Sequence, residues 1–142
     1  MAAVMLWKDG TEDSLVGSVA LALEWRKAGE EVTIVVTEEA LAALGGRGLV
    51  WSDGLKDRPA RIALLKGARE LGLSYHRDFD ARWTEPAKLL AQASEQGVRF
   101  VADPIWVKLL GVDGDLPALI ERTDAAGLLR TLREASPLIG GF

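Results

Sequence analysis

Residues 31–37 read Glu-Val-Thr-Ile-Val-Val-Thr, and residues 4–7 read Val-Met-Leu-Trp. The first run is rich in β-branched residues and the second is uniformly apolar. A sheet with one wet face would alternate apolar and polar side chains, so both runs read as strands buried on two faces. Helices must then cover both sides. Between the runs, Glu12 to about Ala28 reads as a helix, opened by a Thr11 or Asp13 cap and closed by Gly29. Strand, helix, strand in that order implies parallel pairing, because parallel neighbours need a crossover between them.

Working outward, the unit repeats. A helix from Pro86 to Gly97 leads into a third strand, Val98 to Ala102, with Pro at the start of the helix and Gly at its exit. Leu116 to Ile120 is a weaker fourth strand, interrupted by Pro117 and therefore assigned to an edge. Thr123-Asp124 then caps a last helix running to about Ala135. The middle of the chain holds a short helix, Glu38 to Leu44, a Gly-rich loop at 45–48, and a helix from Pro59 to Leu71. The expected fold is a three-layer α/β/α sandwich with a mostly parallel sheet of four to five strands. It forms one domain over residues 1–142, with ligand sites beyond the carboxyl ends of the strands.

The chain has 142 residues, enough for one domain burying roughly 70% of its unfolded surface. Hydrophobic residues make up 49% and charged residues 27%, the composition of a globular chain and not of a disordered one. Seventeen Lys and Arg against twenty-one Asp and Glu give a net charge of -4, which argues against nucleic acid and against an anionic membrane as partners. There are no cysteines. Disulfides, thiolate metal sites, iron–sulfur clusters and a catalytic thiol are thereby excluded, and a cytoplasmic location is expected. The apolar run at the start is short and lacks a preceding basic region, so neither a signal nor a membrane span is expected there.

Several stretches admit a functional and a plain reading. Asp9-Gly10-Thr11-Glu12-Asp13 lies where a nucleotide-binding fold cradles phosphate, yet it carries three carboxylates and one glycine. It is a capped turn or the mouth of a site for a cationic, metal-bridged or neutral ligand. Gly45-Gly46-Arg47-Gly48 lacks the Gly-Lys-Ser/Thr of a P-loop and reads as a helix stop. The single histidine, His76, could share one side of an extended segment with Asp78 and Asp80 and touch a cation. No Gly-x-Ser-x-Gly elbow is present. Lys56, Arg58, Arg61, Lys66 and Arg69 cluster around the third helix, as a solvated face or a patch for an acidic partner. Of the five tryptophans, Trp51, Trp83 and Trp106 fall in or beside loops and short helices, where they serve as core anchors or line an interface or pocket. On the first helix, Val16, Val19, Ala20 and Leu23 form one apolar stripe, and Leu21 and Trp25 form a second, which needs a neighbouring helix or a second copy to cover it.

The order of these segments resembles the DsrE/DsrF-like family of small α/β proteins. The similarity runs through VMLWKDGTED, LALEWRKAGEEVTIVVT, EEALAAL, LLAQASEQGVRFVADPIWVKLLGV and LPALIERTDAAGLLRTL, nearly the whole chain. The resemblance implies a compact sandwich assembling into homo-oligomers, often trimers or hexamers, and in several members a role in sulfur relay. Sulfur-carrying members use a cysteine just after the strand matching Val98 to Ala102; here that position aligns with Asp103. A carboxylate cannot hold a persulfide.

These readings together give an expected function. The chain is a non-catalytic oligomeric protein that needs no cofactor and no metal, and binds a small ligand or a partner protein, including a sulfur-relay partner. The expected binding residues are Asp9, Thr37, Asp103 and Trp106. Two alternatives stay open: a small enzyme using the Asp9/Asp103 carboxylate pair with or without a divalent metal, and a subunit of a mixed assembly whose sister chain carries the cysteine.

Overall fold

The computed structural model describes residues 2–75 and 84–142. The expectations for His76, Asp78, Asp80 and Trp83 lie outside them. Strand β1 (Ala2–Trp7) leads into helix α1 (Glu12–Lys27), then β2 (Glu31–Val36). Helices α2 (Glu38–Ala42), α3 (Arg58–Glu70) and α4 (Thr84–Glu95) follow, then β3 (Val98–Ala102) and α5 (Pro104–Leu110). The chain closes with β4 (Ile120–Glu121), α6 (Ala125–Arg133) and β5 (Ala135–Ile139). All pairings are parallel, and the strand order is β4-β3-β2-β1-β5. This is the three-layer α/β/α sandwich with its central strands buried on both faces, as the unbroken apolar runs require.

The layers follow from chain direction. The steps from β1 to β2 and from β2 to β3 go the same way across the sheet, so right-handed crossovers put α1 and α4 on one face, where they pack against each other. The step from β4 to β5 returns from one edge to the other, which sends α6 to the opposite face. The core divides accordingly. Met5, Trp7, Ile34, Phe100, Leu15 and Leu89 belong to the larger cluster, while Val4 and Val35 pack with Leu128 of α6 on the other side.

Local chemistry sets the boundaries. Thr11 Oγ1 accepts the Ser14 N–H at 3.2 Å and starts α1, so the cap is Thr11 and not Asp13. Asp57 and Asp124 cap α3 and α6 in the same way. The second stripe of α1 is partly covered from within the chain: Leu21 and Trp25, both half-buried, pack against the larger core, and the Trp25 indole donates to Glu30.

Four expectations need correction. The fourth strand is Ile120–Glu121, not Leu116 to Ile120, because Pro117 opens a turn closed by the Ile120 N–H on the Pro117 carbonyl at 3.1 Å. The last helix stops at Arg133, with Glu134 as its cap. Residues 135–139 then form a strand that the sequence did not announce, since an edge strand buried on neither face shows no apolar run. Helix α5 was likewise unforeseen. Its Pro104 occupies the first helical turn, and Gly111 ends it in the left-handed conformation. Among the described residues no helix is long and apolar enough to cross a membrane.

Candidate functional site: the carboxyl edge of the sheet

The last fully paired row of the central sheet is Trp7, Val36 and Ala102. The ladder runs one residue further. Thr37 N–H donates to the Trp7 carbonyl at 3.0 Å, and Asp103 N–H to the Val36 carbonyl at 2.9 Å. The next row is therefore Lys8, Thr37 and Asp103, on three adjacent strands. By the two-residue alternation it belongs to the face of Leu6, Val35 and Val101, the side that α6 covers.

Within that row two of the expected residues meet. Thr37 Oγ1 donates to Asp103 Oδ2 at 2.8 Å. The other carboxylate oxygen, Oδ1, accepts the Ile105 N–H at 2.9 Å, which makes Asp103 the N-cap of α5. Both oxygens are thus engaged, and the carboxylate is held at the top of β3 by partners from two elements.

Asp9 takes a different partner. Its Oδ1 lies 2.9 Å from Lys8 Nζ, an exposed pair. The Asp9 hydrogen bond and charge raise the lysine pKa above its ordinary value, and Glu38 and Glu39 add to that effect. Strand β2 stands between the strands that carry Asp9 and Asp103. Each acid is hydrogen-bonded to its own neighbours. Trp106, on α5, is half-buried and packs against the larger core.

The turn after β1 is clamped. Trp7 Nε1 donates to the Asp9 carbonyl at 2.8 Å, Ala40 N–H donates to the Lys8 carbonyl at 2.9 Å, and Val50 N–H donates to the Gly10 carbonyl at 3.1 Å. A Cβ on Gly10 would stand 2.8 Å from the Glu39 carbonyl oxygen, so the turn passes α2 at a distance only glycine allows. Asp13 accepts the Ser52 N–H at 3.0 Å. Of the two readings of residues 9–13, this geometry favours the capped, braced turn.

Sequence reasoning missed Lys8, Glu38 and Glu39. Extending the two-residue alternation one step past each strand would have found Lys8, level with Thr37. Glu38 adopts φ 51°, an unusual conformation for a non-glycine residue, at the carboxyl end of the central strand. No sequence signal announces it. Asp9, Glu38 and Glu39 all act on the Lys8 ammonium, so this part of the edge is acidic. Among the described residues no group of three or more His, Cys, Asp and Glu could hold a metal ion.

Helical turns continue past Gly45 to Arg47, with the backbone leaving helical geometry at Gly46 (φ 124°), and a Cβ on Gly45 would meet the Val112 side chain. Lys56 pairs with Asp53 at 2.6 Å, and Arg58, Lys66 and Arg69 are exposed. Buried polar atoms without a partner occur at Trp51 Nε1 and Arg61 Nε. No family model matches the chain, and no curated protein does.

Proposed function

We propose that this chain is a non-catalytic binding protein of DsrE-like type in which the carboxyl edge around Asp103 receives a cationic group of a small ligand or of a partner protein. The observation that carries this reading is the engagement of both Asp103 oxygens, by Thr37 and by the Ile105 amide. A carboxylate fixed by two donors keeps its direction, and its two oxygens still have acceptor sites left for a cationic donor, which suits recognition. The surrounding Asp9, Glu38 and Glu39 select for positive charge by summed potential. Self-assembly and a link to sulfur metabolism follow from the family resemblance, and a cytoplasmic setting follows from the cysteine-free composition. Transfer of sulfur by this chain alone does not, for want of a thiol.

The test is a titration of the isotopically labelled protein with N-acetyl-arginine amide, and with N-acetyl-glutamine amide as the neutral control, followed by amide chemical shifts. Saturable shifts at Thr37, Glu38 and Asp103 for the cation alone, weakened at least about threefold in Asp103→Asn, are expected. Equal responses to both probes, or shifts scattered over the surface, would overturn the reading.

A further inference from the structure

We infer that the main-chain amides of Lys8 and Asp9, with the apolar wall beside them, are a binding site for an apolar carboxylate, and that residues 140–142 are a strap that fills this site in cis. The Phe142 main-chain oxygen accepts from both amides, from the Lys8 N–H at 2.8 Å and from the Asp9 N–H at 3.0 Å. Two successive main-chain donors converging on one oxygen make a cradle for an anion or a polarised carbonyl. The Phe142 side chain is half-buried and packs against the larger core, as Ile139 does three residues earlier. The occupant shows what the site takes: an oxygen on the two amides and a ring on the apolar wall.

The cradle is braced without the strap. The carbonyls of residues 8, 9 and 10 are held by the Ala40 N–H, by Trp7 Nε1 and by the Val50 N–H. Gly10 is pinned against the Glu39 carbonyl at a distance that leaves the turn little room to shift. None of these bonds involves residues 140–142, so lifting Phe142 leaves two aligned N–H groups without their acceptor. Lys8 is exposed and Asp9 half-buried, which opens both amides to solvent or to another acceptor oxygen.

The strap itself is loosely tied. It leaves the edge strand β5 through Gly140 and Gly141, both exposed, and Gly141 stands at φ 96°, in the left-handed region. A Cβ on either glycine would meet nothing within 4 Å, so backbone conformation and not space calls for glycine at 141. Charge narrows the class of ligand. Lys8 Nζ neutralises the Asp9 carboxylate at 2.9 Å, which lets a single carboxylate approach, whereas a dianion such as phosphate would also face Glu38 and Glu39, which act on the same ammonium. A tethered occupant competes at a roughly millimolar effective concentration, so the strap is an autoinhibitory contact that holds down the affinity for a free acid until it is released.

The test uses the full chain, amide hydrogen exchange and a titration with N-acetyl-phenylalanine, whose carboxylate and ring stand in the same relation as the oxygen and ring of Phe142. Two variants release the strap at different points: Phe142→Ala removes the ring, and Gly141→Val places a β-branched residue at a positive φ. In both, the Lys8 and Asp9 amides should exchange at least about tenfold faster than in the wild type, while the Ala40 and Val50 amides that brace the turn stay protected. N-acetyl-phenylalanine should shift the Lys8 and Asp9 amides saturably in both variants and bind at least about tenfold more weakly to the wild type. Acetate, without the ring, and N-acetyl-phenylalaninol, without the carboxylate, should each bind the variants at least about threefold more weakly. Protection lost at Ala40 and Val50 along with Lys8 and Asp9 would make the strap a structural brace and overturn the proposal. Unchanged exchange in the variants, or equal affinity of the acid for variants and wild type, would overturn it too. All these results leave the Asp103 reading standing, because that site answers to a cationic probe at Thr37, Glu38 and Asp103.

Discussion

Thr37 and Asp103, separated by 66 positions in sequence, are joined side chain to side chain at 2.8 Å across the tops of two neighbouring parallel strands. The bond ties the central strand to the helix that follows β3, because the same carboxylate also caps α5. Removing the hydroxyl leaves one lone pair of a half-buried carboxylate without its donor. Thr37→Val should therefore cost about 1 kcal/mol of stability. Asp103→Ala, which loses the cap as well, should cost about 1–2 kcal/mol, and Asp103→Asn clearly less, since an amide oxygen still caps. Denaturant melts of the three variants check this order.

Arg99 and Glu121 make a two-pronged pair across β3 and β4, with Nε–Oε2 at 3.0 Å and Nη2–Oε1 at 2.9 Å. The Arg99 hydrogen bonds hold the Glu121 pKa below its ordinary 4.5. A depressed carboxylate contributes stability that is present above its unfolded pKa and lost as pH falls through the folded one. The side chains are 63% and 46% exposed, so solvent screens the pair and its share stays below about 1 kcal/mol. Melting temperature measured from pH 7 to pH 3 should fall at the acid end, and Glu121→Gln should fall less steeply over that window.

Gly10 and Gly17 respond oppositely to a methyl group. At Gly10 the added carbon meets a backbone carbonyl of α2, which cannot step aside. Gly10→Ala should destabilise by at least about 1 kcal/mol, through strain in the turn below Asp9. Gly17 is exposed on α1, with nothing within 4 Å of the added carbon. Gly17→Ala should stabilise by about 0.5–1 kcal/mol, the ordinary helix preference of alanine. Thermal unfolding of the two single variants gives the signs directly.

Trp7 is fully buried beneath the carboxyl edge and braces the turn through its indole bond to the Asp9 carbonyl. Truncation opens a cavity and frees that carbonyl together. Trp7→Ala should cost about 3–5 kcal/mol. Hydrogen exchange should locate the loosening in residues 8–11, ahead of the rest of the sheet; uniform loss of protection would contradict the bracing role.

Much of this architecture is already contained in the order of residues. Val4–Trp7 and Val32–Val36 are almost wholly apolar and largely buried on both faces, as is Val98–Ala102 apart from Arg99, and a strand buried twice has few alternatives to a covered parallel sheet. The helices between them announce themselves by caps and glycines, which act within a few residues. Other features depend on neighbours that local chemistry does not name. Strand β5 exists because β1 has a free edge to offer it, and Ala-Ser-Pro-Leu-Ile by itself has no strand pattern. The same limit applies to the site. Asp9 and Asp103 both stand out in the sequence as acids at strand ends. Strand order and register put Thr37 beside Asp103 and give Asp9 to Lys8, because a hydrogen bond is decided by ångströms that periodicity does not carry.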